Sequence, residues 1–204
     1  MKGDMYVTCS TDKEILEKAE YGGTVTSLLK FALESKRVDA ALTVRARNDN
    51  RYDGIPVLIT QPDEVIQTAG VLHCASPNIA RCIKEYLDGA ANLRIAVAVK
   101  PCDAKAIIEL AKRNQINLDN LLLIGLNCTG TLPPVKAKAM LKEEFGIDPA
   151  DVIAEDIEDN QLIIRLKDGT QREKNLTELE ERGYGRRENC RRCETNIPTM
   201  ADIA

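Results

Sequence analysis

The sequence predicts an α/β fold: a partly parallel sheet flanked by helices, with a β-hairpin and a C-terminal metal-binding segment appended. Two near-continuous apolar runs, Leu93 to Val99 and Leu121 to Leu126, read as strands buried on both faces. Between them, Ala104 to Arg113 has the spacing of an amphipathic helix. Strand, helix and strand in about 35 residues make a βαβ crossover, which joins parallel strands. Farther on, Gln161 to Leu166 followed by Lys167-Asp168-Gly169-Thr170 reads as a hairpin.

The remaining elements follow in chain order. Thr11 and Glu14 stand at capping-box spacing, so a short helix is expected over Glu14 to Glu20 with Thr11 as its N-cap. Gly22-Gly23 breaks the chain, and Val25, Leu28, Leu29 and Ala32 then repeat at helical spacing to about Ser35. Val38 to Arg45 reads as a strand, Tyr52 to Pro56 as a turn, and Pro56 to Thr60 as a second strand. A helix is expected over Glu64 to Thr68. Another starts at Ser76-Pro77-Asn78, with Ser76 as N-cap and Pro77 in the first helical position, and runs to Leu87. Pro133-Pro134 interrupts the chain, Val135 to Phe145 is helical, and Gly146 suits the C-cap. Residues 1–150 are thus expected to form the α/β core, 151–175 a hairpin excursion and 176–204 a charged Cys/Arg-rich segment.

Composition narrows the function classes. The chain has 204 residues, 44% hydrophobic and 29% charged, as expected of a globular protein with a real core. Its net charge of -4, 3% aromatic content and lack of Trp disfavour a nucleic-acid partner. No stretch approaches a membrane span and no secretory leader is visible, so a cytoplasmic location is expected. Seven cysteines, an odd number, argue against a disulfide framework. With His73 as the only histidine, a triad or zinc–histidine hydrolase is hard to build.

Four of the cysteines stand where metal ligands are placed. Cys190 and Cys193 form a CxxC pair among Arg186, Arg187, Arg191 and Arg192, whose charge favours thiolates. Cys102 and Cys128 each follow an apolar run, and parallel α/β sheets build sites at the carboxyl ends of their strands. Together they supply four soft ligands, enough for one iron–sulfur cluster. A structural zinc site, a thiol–disulfide pair and incidental surface thiols remain open on the same residues. Cys82 lies within a helix, Cys9 precedes the first one, and Cys74 is ambiguous.

Two helix starts suit an anion. Gly22-Gly23-Thr24-Val25-Thr26-Ser27 offers bare backbone and hydroxyls at a helix N-terminus, and Ser76-Pro77-Asn78 is a second capped start. Each is equally explained as a turn. Lys100, just past a buried strand, suits a flavin or phosphate charge, or else is a snorkelling lysine.

Gly22 to Thr26, the stretch from Ala69-Gly70 to Ser76-Pro77-Asn78, Pro101-Cys102-Asp103, Asn127-Cys128 and Asn189 to Cys193 together resemble the beta subunits of coenzyme F420 hydrogenases and dehydrogenases. Tyr52 to Pro56, Gln115 to Asn120 and Gly183 to Arg187 resemble the formate dehydrogenase type more than the hydrogenase type. The resemblance is collinear over essentially the whole chain. It implies FAD, one 4Fe-4S cluster and deazaflavin coenzyme F420 as exchangeable redox partner. It carries the cluster ligands onto Cys102, Cys128, Cys190 and Cys193. Flavin contacts fall on Gly22, Gly23, Thr24, Val25, Thr26, Ser27, His73, Ser76, Pro77, Asn78, Lys100 and Asn127. The 1–150 core then becomes the flavin-binding part and 176–204 the Fe-S-binding segment, in a chain expected to be truncated relative to the family. The implied partner is a catalytic formate dehydrogenase alpha subunit, alone or within a larger heterodisulfide reductase or hydrogenase assembly. The competing expectation is a zinc- or cluster-stapled docking module without flavin.

Overall fold

A computed structural model describes residues 6–47, 50–75 and 77–204. Helix α1 (Lys13–Lys18) and helix α2 (Thr24–Glu34) precede strands β1 (Ala40–Arg47) and β2 (Asn50–Ile59). A 3-10 turn at Pro62–Thr68 leads on to α3 (Ile79–Tyr86), β3 (Ile95–Val99), α4 (Pro101–Lys112) and β4 (Leu121–Gly125). Then come α5 (Pro134–Met140), β5 (Val152–Glu158), β6 (Gln161–Leu166), β7 (Gln171–Asn175), α6 (Leu176–Glu181) and α7 (Glu188–Arg191).

The first sheet has the order β2-β1-β3-β4; β1, β3 and β4 are parallel, while β2 runs antiparallel to β1. The fully buried β3 explains its apolar run. Ile95, Val97 and Val99 face α3 and α4 through Ile79, Ile83, Ala104 and Ile107, whereas Ala96 faces α2 through Leu29, Ala32 and Leu33. The second sheet, β5-β6-β7, is antiparallel. It packs Ile157, Leu162 and Ile164 against Met140 and Leu141 and against Leu176 and Leu179 of α6. Among the described residues no helix is long and apolar enough to cross a membrane.

Several boundaries differ from the sequence expectation, each for a local reason. The N-cap of α1 is Asp12, not Thr11: its carboxylate takes the amides of Glu14 and Ile15 and also pairs with Lys30 at 2.9 Å. The helix stops at Lys18, leaving Glu20 to accept from the Val71 amide and Arg51. Tyr52 to Pro56 is strand rather than turn. Gly54 leaves room for Ala75, and Pro56 is tolerated because β2 is the sheet edge. Asn78 caps α3 by accepting the Arg81 amide, so Pro77 lies before the helix; Ser76 lies outside the described residues. Helix α4 begins three residues earlier than expected, with Pro101 in its first position, and Cys102 therefore sits in a helical first turn.

Strand β5 was not expected, because Glu155 and Asp156 interrupt its apolar pattern. Both are buried and both are satisfied. Glu155 accepts from the Tyr52 hydroxyl and the Cys74 thiol, and Asp156 accepts from the Tyr21 hydroxyl and the Ile157 amide. Burial first, and then the Glu155 charge, push Tyr52 and Cys74 upward, which keeps both as donors.

The last residues are tied to the first sheet. Gly125 and Ile203 exchange no side chain, yet the Gly125 amide donates to the Ile203 carbonyl at 2.6 Å. The Leu123 amide donates to the Asp202 carboxylate at 2.8 Å. A Cβ on Gly125 would press on Pro198 and meet Ala201 and Ala204 at 3.1 Å. Gly125→Ala is therefore expected to cost about 1–3 kcal/mol and to speed amide exchange at Asp202 and Ile203, read by mass spectrometry.

Candidate functional site

Cys102, Cys128, Cys190 and Cys193 border one cleft of about 840 Å³. The βαβ unit supplies the first two: Cys102 from the opening turn of α4, Cys128 from the loop that leaves β4. The CxxC pair comes from α7 and the turn after it. Three contacts hold α7 against the Cys128 loop. The Arg187 amide donates to the Thr131 carbonyl at 2.9 Å, and Thr131 Oγ1 lies 3.6 Å from Cys190 Sγ. Gly130, at φ +127°, brings backbone so close that a Cβ there would sit 2.9 Å from Arg186 Cγ and 3.7 Å from Cys190 Cβ. The Cys128 amide donates to Asn196 beyond the CxxC, and Lys105 on α4 reaches Thr195 at 2.8 Å.

Enclosure by the cleft walls pushes Cys102 and Cys128 upward, with Asp103 adding to the shift of Cys102 and Lys100 opposing it in both. All seven cysteines are free. No group of three His, Cys, Asp or Glu among the described residues closes to single-ion distance. Four cysteine thiols bordering one cleft are the donor chemistry that a 4Fe-4S cluster takes.

The other expected site residues separate into two groups. Pro77, Asn78 and Lys100 line the same cleft as the cysteines. Lys100 is neither free nor snorkelling: its Nζ pairs with Asp103 at 2.6 Å, while Asp103 also accepts the Lys100 amide. Gly22 to Ser27 and His73 lie outside the cleft lining, as does the exposed Asn127. Gly22 and Gly23 have φ of +70° and +71°, and a Cβ on Gly23 would strike Ile15 at 2.6 Å. Ser27 donates to Ser10, and Thr24 shares a hydrogen bond with Thr8, so these two hydroxyls serve the turn.

His73 follows this turn in space: Tyr21 donates to Asp156, and Asp156 Oδ1 stands 3.9 Å from His73 Nε2. Among the described residues, His73 Nε2 and Arg51 Nε are buried polar atoms without a hydrogen-bond partner. An orphaned buried donor signals a missing acceptor, and a flavin ring or phosphate supplies such acceptors. The polar groups on this side thus fit a flavin. Sequence reasoning did not single out Arg51, whose guanidinium donates to the Val71 carbonyl at 2.6 Å. It also missed Asp159 and Asn160, which reach the cleft from the β5–β6 turn.

Residues 5–81 match the family described as coenzyme F420 hydrogenase/dehydrogenase, beta subunit N-term, and residues 92–204 match its C-terminal counterpart. The chain is 50% identical over 195 residues to an F420-dependent formate dehydrogenase subunit beta of Methanocaldococcus jannaschii, covering 96% of this chain and 50% of the relative. It is 49% identical over 204 residues to the F420-dependent formate dehydrogenase 1 subunit beta of Methanococcus maripaludis, covering 100% of this chain and 52% of that one. The chain therefore spans about half the length of these relatives. Its fold is similar to a chain of the F420-reducing [NiFe] hydrogenase complex from Methanosarcina barkeri, with a TM-score of 0.81, 22% identity, and coverage of 95% of this chain and 66% of that one. Two matching halves and this level of identity place the sequence in one group: the chain belongs to the coenzyme F420 hydrogenase/dehydrogenase beta subunit family.

Proposed function

We propose that this chain is the electron-transferring part of a beta subunit in an F420-dependent formate dehydrogenase, an oxidoreductase subunit holding FAD and one 4Fe-4S cluster. The observation that carries this reading is the convergence of Cys102, Cys128, Cys190 and Cys193 on one cleft, in a chain of this family. Residues 1–150 serve as the flavin-binding core, and 176–204 close the cluster site. FAD, when bound, exchanges electrons both as pairs and singly, which links a hydride-carrying deazaflavin to a one-electron cluster.

The chain's own residues then have distinct tasks. Four thiolates hold the cluster, and the arginines of 186–192 offset its negative charge. His73 and Arg51, with buried unpaired polar atoms, would hold the flavin, and Asn78 and Lys100 border the cleft of the four cysteines. Asp103 fixes Lys100, so its charge stays at the cleft wall instead of swinging into solvent. Formate oxidation itself belongs to a partner alpha subunit, and this chain passes the electrons on. A zinc-stapled module on the same four cysteines is the alternative, and metal and sulfide analysis separates the two.

Anoxically prepared protein with bound flavin should lose its flavin absorbance on addition of reduced F420, with the oxidised deazaflavin band appearing in step. NADH should have no such effect. A flavin that stays oxidised in reduced F420, or protein that binds no flavin, would overturn the reading.

A further inference from the structure

Beside the proposed cluster site, one side chain outside the cleft lining ties the CxxC segment to its neighbours. Glu180, on α6, is only 8% exposed, which is unusual for a carboxylate on a helix of the sequence LTELEE. Its two oxygens are both engaged: Arg186 Nε donates to Oε1 at 2.7 Å, and Arg191 Nε pairs with Oε2 at 3.1 Å. The two arginines bracket Cys190, one before the α7 helix and one at its end. Gly185, at φ +75°, lets the chain pass against Glu180 itself; a Cβ there would lie 2.6 Å from Glu180 Cγ. Arg186 in turn lies along Gly130, beside the Cys128 loop. A single buried carboxylate therefore links α6, the CxxC segment and the loop that carries Cys128.

We infer that Glu180 is a positioning residue for the cluster: it fixes Arg186 and Arg191 about Cys190 and, by cancelling part of their charge, sets the potential of the centre they surround. This rests on the proposed cluster. Both effects have a definite sign. Reduction adds negative charge to a cluster, so nearby positive charge favours the reduced form and nearby negative charge disfavours it. Glu180 lowers the potential; each arginine raises it.

The test compares Glu180→Gln, Arg191→Gln and the double variant in the full chain, purified without oxygen. Redox titration followed by electron paramagnetic resonance gives the midpoint potential, and iron release to a chelator gives the holding strength. E180Q keeps the side-chain shape but not the charge; it should raise the potential and release iron several-fold faster. R191Q, at a half-exposed side chain that folding tolerates, should lower the potential. The double variant should return it toward wild type. Unchanged potentials in R191Q and in folded E180Q would overturn the inference, and R191Q alone decides should E180Q fail to fold. If the wild-type chain takes up no iron, the cluster reading falls by that result. Amide exchange over residues 186–193 then reads the pin by itself: several-fold faster exchange in E180Q supports it, and equal exchange refutes it.

Discussion

Serine at both Cys190 and Cys193 is expected to strip the chain of iron while leaving it folded. These two residues supply half of the proposed ligand set, and neither lies in a hydrophobic core: Cys193 is exposed and Cys190 half-buried. Their removal costs little packing, so secondary structure and thermal unfolding of the metal-free protein should change by less than about 1 kcal/mol. Iron content has no such tolerance. A 4Fe-4S cluster needs four protein thiolates, and a hydroxyl is a harder, poorer donor to iron. The expected fall is from roughly four irons per chain to near zero in the double variant. Serine at Cys82, which lies on α3 and does not line the cleft, should leave iron unchanged. Loss of iron in both variants alike would point to general instability rather than to ligation.

The largest expected loss of stability comes from Ile107→Ala. Ile107 is fully buried on α4, between β3 and the α3 side of the first sheet, among Ile79, Ile83, Val97 and Leu123. Truncating it removes three carbons from a packed interior and leaves a cavity, at a cost of about 2–5 kcal/mol. For a chain of this size that corresponds to a fall in Tm of roughly 5–15 °C. The effect should reach the site as well, since α4 carries Cys102 in its first turn and Lys105, whose Nζ donates to Thr195. Glu109→Ala, on the exposed face of the same helix, breaks only the pair with Lys112 and should stay within about 0.5 kcal/mol of wild type.

How much of this could be read in advance depended on the kind of signal each residue gives. The βαβ unit was plain because β3 and β4 are covered on both sides, so nearly every position had to be apolar. Cys102 and Cys128 were found for the same reason, as polarisable residues standing just after those runs. The placement of Cys102 within α4 was missed because Pro101 reads equally as a break and as a first helical residue. Strand β5 was hidden by Glu155 and Asp156: a carboxylate pair signals solvent unless its donors are known, and those donors, Tyr21, Tyr52 and Cys74, lie more than 80 residues away. Glu180 was hidden in the same way. In LTELEE it looks like one more solvated acid, and only the fold returns Arg186 and Arg191 to it. The glycine pair at 22–23 shows the opposite case. Its sequence suits an anion, and only the fold shows that the Ser27 and Thr24 hydroxyls bond to the preceding loop and that His73 Nε2 and Arg51 Nε are buried without a partner among the described residues.

The most direct measurement is the stoichiometry of iron, acid-labile sulfide and flavin in wild-type protein isolated without oxygen. About four irons and as many sulfides per chain, with one flavin released on denaturation, is the predicted result. One zinc per chain with neither sulfide nor flavin would contradict it, and would leave the four thiols of the cleft as a structural staple.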